Sequence, residues 1–249
     1  MKQTATIGRN RTGVSSSDGR SDAMQKDSTQ FEPSSHGTAA GPDKVRVAYT
    51  KEGHAHGSAL GSVPPPKGIR AKAEAAVGAL KSEEPTLLMD RMGDRLAFER
   101  TGTRLYEALV SKHEAFGTFE GGPSRRDLVE IMEQEHGHFI MLENAMKEMG
   151  GDPTAMTPSA DIAATATAGV MKVIVDPRTT LLQGLDAILI AELADNASWE
   201  ELVQLAERAN ETELVEMGKL AQRTEEEHLT KVKAWIAAGQ GRANGELAP

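Results

Sequence analysis

The chain has 249 residues, with 28 Lys and Arg against 37 Asp and Glu, so its formal net charge is −9. An acidic chain is not expected to bind nucleic acid, because phosphate contacts need clustered positive charge. It has no cysteine, which excludes disulfides, thiolate zinc sites and iron–sulfur clusters, so any metal must bind to His, Asp or Glu. Neither a long apolar run nor an N-terminal signal segment is evident, which predicts a cytoplasmic protein without a membrane span.

Residues 1–85 differ in composition from the rest of the chain. They hold six of the eleven prolines among many Gly, Ser and Thr residues, and their net charge is +3 against −12 for residues 86–249. A stretch with so few apolar residues cannot bury enough surface to offset its chain entropy. We therefore predict an irregular N-terminal tail, disordered alone or docked on the folded body or on a neighbouring subunit. One short helix is predicted within it, at Ile69–Lys81.

From Pro85 onward, apolar residues recur with the period of a helix. Capping residues, prolines and glycines divide this region into four long helices: helix A from about Thr86 to Phe116, helix B from Ser124 to just before Gly150, helix C from Asp176-Pro177 to Asn210, and helix D from Glu211 to Ala237. The A–B and C–D turns are short, and the long B–C connection is predicted to hold a short helix at Asp161–Val173. The pattern predicts an all-α four-helix bundle over residues 86–239 with a long crossover, followed by a short C-terminal tail, 240–249.

Helix B carries polar residues in the middle of its apolar stripe. Glu135 and His138 fall between Ile131 and Phe139 on the same face of the helix. Glu133 and His136 have the same spacing but belong to a largely polar face. The stripe therefore favours Glu135 and His138 as the buried pair.

The other three helices repeat this feature. Helix D has Glu225 and His228 in its stripe, and helices A and C each have one inward glutamate, Glu99 and Glu192. Asp195 on helix C also lies on the inward face. It could orient one of the histidines or be a helix-face acid near a turn.

The negative charges of four buried carboxylates need compensation. Each unpaired carboxylate removed from water costs several kcal/mol, against a net stability of only about 5–15 kcal/mol. Protonation would leave a metal-free bundle of neutral acids, and Arg95 is the only basic residue in the matched stripes, so it cannot neutralise all four. Two divalent cations would match the charge, and a site of carboxylates and imidazoles suits iron or manganese.

Three segments resemble the ferritin-like di-iron carboxylate proteins, in particular a bacterial subgroup related to the bacterioferritin and rubrerythrin bundles: RLAFERTGTRLY at Arg95–Tyr106, EHGHF at Glu135–Phe139 and AELADNASW at Ala191–Trp199. The resemblance implies a pair of iron ions, with manganese as the alternative. It also implies roles for six residues: Glu135 and Glu225 as bridging ligands, Glu99 and Glu192 as terminal ligands, and His138 and His228 each on one metal. Tyr106 matches a tyrosine near such sites and is expected to hydrogen-bond a ligand or to donate an electron.

The resemblance implies an oxidoreductase that reacts Fe(II) with O₂ or H₂O₂, in the manner of a ferroxidase or peroxidase. A dimanganese catalase-like enzyme and a substrate-oxidising di-iron oxygenase are the alternatives. A non-enzymatic iron-binding or structural bundle with a partner-docking tail is a third. The sequence has no fifth helix after helix D, so we expect a homodimer or small homo-oligomer rather than a 24-subunit cage.

Overall fold

A computed structural model of the chain describes residues 42–56, 60–64 and 84–246. All regular secondary structure in these ranges is helical, which confirms the predicted all-α class. The described ranges contain six helices: α1 (Pro42–His56), α2 (Glu84–Phe116), α3 (Arg125–Glu148), α4 (Pro158–Val175), α5 (Leu181–Ala209) and α6 (Thr212–Glu246). Across the same ranges, no helix combines the length and apolar character needed to cross a membrane.

The chain divides into two compact units, Met1–Gly61 and Ser62–Pro249. In the first unit, the structure describes α1, a regular helix in a region predicted to be irregular. Its apolar side chains Val47 and Tyr49 are exposed. The predicted helix at Ile69–Lys81 lies outside the described residues.

Helices α2 and α3 form the first hairpin of the second unit. Gly117, with a positive φ of 73°, ends α2 by donating its N–H to the His113 carbonyl. Helix α3 begins with the predicted capping box, in which the Ser124 side chain accepts from the Asp127 N–H and the Asp127 carboxylate accepts from the Ser124 N–H. These local signals place the turn as the sequence predicts.

The long connection contains α4, which is longer than the predicted Asp161–Val173 helix. It packs on α2 and α5, and hydrogen bonds hold it at both ends. At its start, the Asp90 carboxylate of α2 accepts hydrogen bonds from Ser159 N and Oγ. At its end, Lys112 Nζ donates to the carbonyls of Asp176 and Thr179. The crossover is therefore part of the packed unit.

Helices α5 and α6 form the second hairpin, joined through Asn210 in the left-handed conformation. Helix α5 begins at Leu181 rather than at Asp176-Pro177, because Thr180 caps it. The prediction that helix D ends at Gly239 and leaves a tail over 240–249 is wrong, since α6 continues to Glu246. A Cβ at position 239 would lie 2.6 Å from Leu182 Cδ1, so this glycine allows close packing of the two helices instead of ending one.

Two separate apolar clusters make up the core of the second unit. One surrounds Leu105, Ile131 and Ile188. The other surrounds Leu96, Leu142 and Trp199. Each of α2, α3, α5 and α6 contributes to both clusters, with buried polar residues at the level between them.

Candidate metal centre

The polar layer between the two apolar clusters consists of the residues that the stripes of the sequence single out. On α3, for example, Glu135 and His138 lie between Ile131 of one cluster and Leu142 of the other. The structure brings all six predicted side chains into this layer: Glu99, Glu135, His138, Glu192, Glu225 and His228. Each carboxylate is at most 3% exposed, and the layer is therefore shielded from water.

Two groups of three residues in this layer could each hold a metal ion. One group is Glu99, His138 and Glu225, and the other is Glu135, Glu192 and His228; in each, the ligand atoms lie within 4.8 Å of one another. The two groups meet at Glu225. Its Oε1 lies 2.7 Å from His138 Nδ1, and its Oε2 lies 3.0 Å from His228 Nδ1. The carboxylate of Glu225 thus lies between the two histidines, with one oxygen near each of them.

Several ligand atoms in the layer are buried but have no hydrogen-bond partner in the part of the chain that the structure describes. Each of the four glutamates has one such oxygen, and His138 Nδ1 is unpartnered as well. His138 Nδ1 and Glu225 Oε1 are close, but their directions do not make a hydrogen bond. Buried polar atoms are normally paired, and lone pairs that converge without a proton between them are costly unless a cation lies there. The chemistry of this donor set fits hard or borderline divalent metals such as iron and manganese.

Gln134 is a member of the site that the sequence analysis does not identify. Its Oε1 lies 2.9 Å from His228 Nε2, a geometry in which the ring N–H donates to the amide oxygen. That hydrogen bond leaves His228 Nδ1 facing Glu225 and Glu135. Metal-binding histidines usually have their second nitrogen held in this way. Little in the sequence could have identified Gln134 as part of the site, because its one distinguishing feature is that it comes directly before Glu135.

Tyr106 lies fully buried beside the second group. Its hydroxyl contacts Glu192 Oε1, and its ring centroid is 6.5 Å from that of His228. Burial and the charge of Glu192 raise the pKa of Tyr106 well above its usual value, so the phenol keeps its proton and donates it to Glu192. The tyrosine therefore occupies one oxygen of that carboxylate and leaves the other free.

Arg95 has the corresponding place beside the first group. Its Nη2 contacts Glu99 Oε1 and also Asp195 Oδ1, and all three side chains are buried. The guanidinium carbon lies 4.9 Å from the ring centroid of Phe98 and 5.2 Å from that of Trp199. Asp195 is thus paired with Arg95. Orienting a histidine was one of the two roles considered for it, and the hydrogen bonds of the described residues include none between Asp195 and either His138 or His228.

A glycine and an asparagine help to fix the positions of the glutamates. Gly102 of α2 faces the Glu135 carboxylate, so closely that a Cβ there would lie 2.8 Å from Glu135 Cδ. Asn196 Nδ2 donates to the backbone carbonyls of Glu192 and Glu225, at 2.9 and 3.1 Å, and so links α5 to α6 at the level of the site.

Without metal, the carboxylates and imidazoles shift one another's proton affinity. Burial and neighbouring carboxylates raise the pKa of Glu135 well above its ordinary value and that of Glu192 to about 7. Burial alone would raise the pKa of Glu225, but the two histidines lower it to about 2. Burial alone would lower the pKa of His138, but Glu225 and Glu99 raise it to about 9. Protons therefore supply part of the positive charge that these carboxylates need.

The second Glu-x-x-His pair of α3 lies away from the layer. Glu133 and His136, which share the spacing of Glu135 and His138, are exposed. The helical face, and not the spacing, distinguishes the two Glu-x-x-His pairs.

Comparisons of this chain with protein-family models, with curated proteins and with solved structures give no match.

Proposed function

We propose that the protein is an oxidoreductase with a dinuclear iron site, which reacts Fe(II) with O₂ or H₂O₂ in a ferritin-like bundle. The bundle would consist of α2, α3, α5 and α6, with α4 in the crossover between the hairpins. One observation above all supports this proposal: six buried carboxylate and imidazole side chains from four helices converge with unpartnered ligand atoms. A glutamate from each of two helices and a Glu-x-x-His pair from each of the other two form the metal sites of such bundles.

The residues divide between two metal positions, with Glu135 and Glu225 proposed as the bridging ligands. Glu99 and His138 would complete the first position, and Glu192 and His228 the second. Glu99 and Glu192 each have Oε1 occupied by a donor, Arg95 and Tyr106 respectively, and Oε2 free. Each would therefore bind through a single oxygen, as terminal ligands do.

Two iron ions bound here would supply one electron each for the reduction of O₂ or H₂O₂. The protein contributes a dry, fixed arrangement, because the apolar clusters above and below exclude water. His138 has a side chain 12% exposed, whereas those of Glu99, Glu225 and His228 are fully buried. A small oxidant would therefore reach the site most directly from the His138 side.

The proposal is tested by elemental analysis of purified wild type and Glu135→Ala. We expect about two iron ions per chain in the wild type and a sharp loss in the variant. Glu133→Ala is the matched control, because Glu133 is exposed on the same helix and should not affect the metal content. Equal metal content in Glu135→Ala and wild type would refute the site.

A second measurement tests the reaction. Fe(II) added to the protein in air should give a rapid rise in near-ultraviolet ferric absorbance, which Glu135→Ala should abolish. Bound manganese with release of O₂ from H₂O₂ would favour the dimanganese catalase-like alternative, and oxidation of an organic substrate would favour an oxygenase. Bound iron without turnover, together with tail-dependent capture of a partner, would favour the non-enzymatic alternative.

Assembly as a homodimer or small homo-oligomer stays a prediction. Light scattering of the full chain after gel filtration tests it, and a mass near that of 24 subunits would contradict it.

A further inference from the structure

Arg95 is a fully buried cation inside the candidate metal centre. Its side chain is 1% exposed, and it pairs through Nη2 with both Glu99 and Asp195. Its Nε and Nη1 have no hydrogen-bond partner among the described residues, and the guanidinium is held by these two carboxylates and by the rings of Phe98 and Trp199. Removing either partner of such a buried ion pair would leave the other charge uncompensated in a dry environment.

The partners of Arg95 belong to a third group of possible ligands. Carboxylate oxygens of Glu99, Glu135, Asp195 and Glu225 lie within 4.8 Å of one another, and all four residues are buried. Glu99 Oε2, Glu135 Oε2 and Glu225 Oε1 have no hydrogen-bond partner. Four converging carboxylates, three of them with an unpartnered oxygen, suit a hard divalent cation.

Arg95 sets the net charge that metal ions must balance in the polar layer. Glu99, Glu135, Glu192, Glu225 and Asp195 together carry five negative charges when ionised, and Arg95 reduces the net charge to −4. Two divalent ions balance that charge. Without the guanidinium, two divalent ions would leave one uncompensated carboxylate charge in a dry environment, which a proton or a further cation would have to balance.

We propose that Arg95 acts as a fixed internal cation, which keeps Asp195 from binding metal and limits the centre to two ions. The inference rests on the proposed dinuclear site and adds a latent third cation position formed by Glu99, Glu135, Asp195 and Glu225. Arg95 is a positioning residue in this scheme, because it acts through Glu99 and Asp195.

Equilibrium dialysis of the full chain against Mn(II), followed by elemental analysis, tests the proposal. We expect about two Mn(II) per chain for wild type and one additional Mn(II) for Arg95→Met. The double variant Arg95→Met with Asp195→Asn should return to the wild-type number, because Asp195 is the ligand that Arg95 releases. Arg91→Met on the same helix is the control: Arg91 pairs with Asp94 and Glu201 outside the layer and should not change the number.

A single variant, Asp195→Asn, provides a second readout should Arg95→Met fail to fold, as judged by circular dichroism. It leaves the guanidinium beside Glu99 with one fewer negative charge, so Mn(II) should bind at least several-fold more weakly than to wild type. Unchanged affinity in Asp195→Asn, or an unchanged number of ions in folded Arg95→Met, would overturn the proposal. The dinuclear site itself fails separately, if wild type does not bind two ions.

Discussion

The backbone of Gly102 on α2 lies directly against the carboxylate of Glu135 on α3. A Cβ at position 102 would be 2.8 Å from Glu135 Cδ and closer still to Oε2. Glycine in a helix interior lowers stability by roughly 0.5–1 kcal/mol relative to alanine. Glycine is present here because the Glu135 side chain occupies the space that a Cβ would need.

Gly102→Ala should therefore displace Glu135 and weaken metal binding, by about 10- to 100-fold as for other residues that orient metal ligands. Competition with a chelator measures the affinity. Gly169→Ala is the matched control, because a Cβ there meets no atom within 4 Å in the described structure. This control should raise the free energy of unfolding by roughly 0.5–1 kcal/mol and leave metal affinity unchanged. A Gly102→Ala protein with wild-type affinity would show that Glu135 is not held in this place.

Gln134 orients His228 through its Nε2, and Gln134→Ala should remove that restraint. We expect metal affinity to fall by about 10- to 100-fold, measured by the same chelator competition. Gln204→Ala is the control, since Gln204 contacts only exposed Glu200 in the hydrogen bonds that the structure shows. Equal affinities for the two variants would contradict the role assigned to Gln134.

Tyr106→Phe removes the hydroxyl that donates to Glu192 and leaves a buried carboxylate oxygen without its donor. In the metal-free protein, we expect the free energy of unfolding to decrease by about 1–3 kcal/mol, as measured by urea denaturation at pH 8. Glu192, with a pKa of about 7, is mostly ionised at that pH. An unchanged unfolding free energy would mean that the contact with Glu192 does not stabilise the fold. The role of Tyr106 as an electron donor stays a prediction.

Ser124 and Asp127 cap α3 reciprocally, and Ser124→Ala should lower the free energy of unfolding by about 1 kcal/mol. The hydrogen bonds from Ser124 lower the pKa of Asp127 below its unfolded value. The stabilisation from this carboxylate is therefore fully present above the unfolded pKa of about 3.9 and is lost as the pH falls through the folded pKa. Melting curves of wild type and Asp127→Asn between pH 7 and pH 3 should converge towards low pH. A constant difference between the two proteins would contradict this assignment.

Much of the helical layout could be predicted because its signals are local. Gly117, Ser124 and Asn210 define helix ends through backbone geometry and caps that involve only nearby residues. Gly239 carries a similar signal but does not end α6, because its contact is with Leu182 on another helix. The regular helix α1 was also missed, since its composition resembles that of a tail.

The sequence by itself determined which side chains are turned inward, because a period of 3.6 residues assigns each position to one face of its own helix. That suffices to separate Glu135 from Glu133 and to place Glu99 and Glu225 in the core. Only the tertiary structure decided which inward residues meet. The pairing of Arg95 with Asp195, a hundred residues apart, depends on the rotation and offset of one helix against another, and no periodicity within a single helix contains that information.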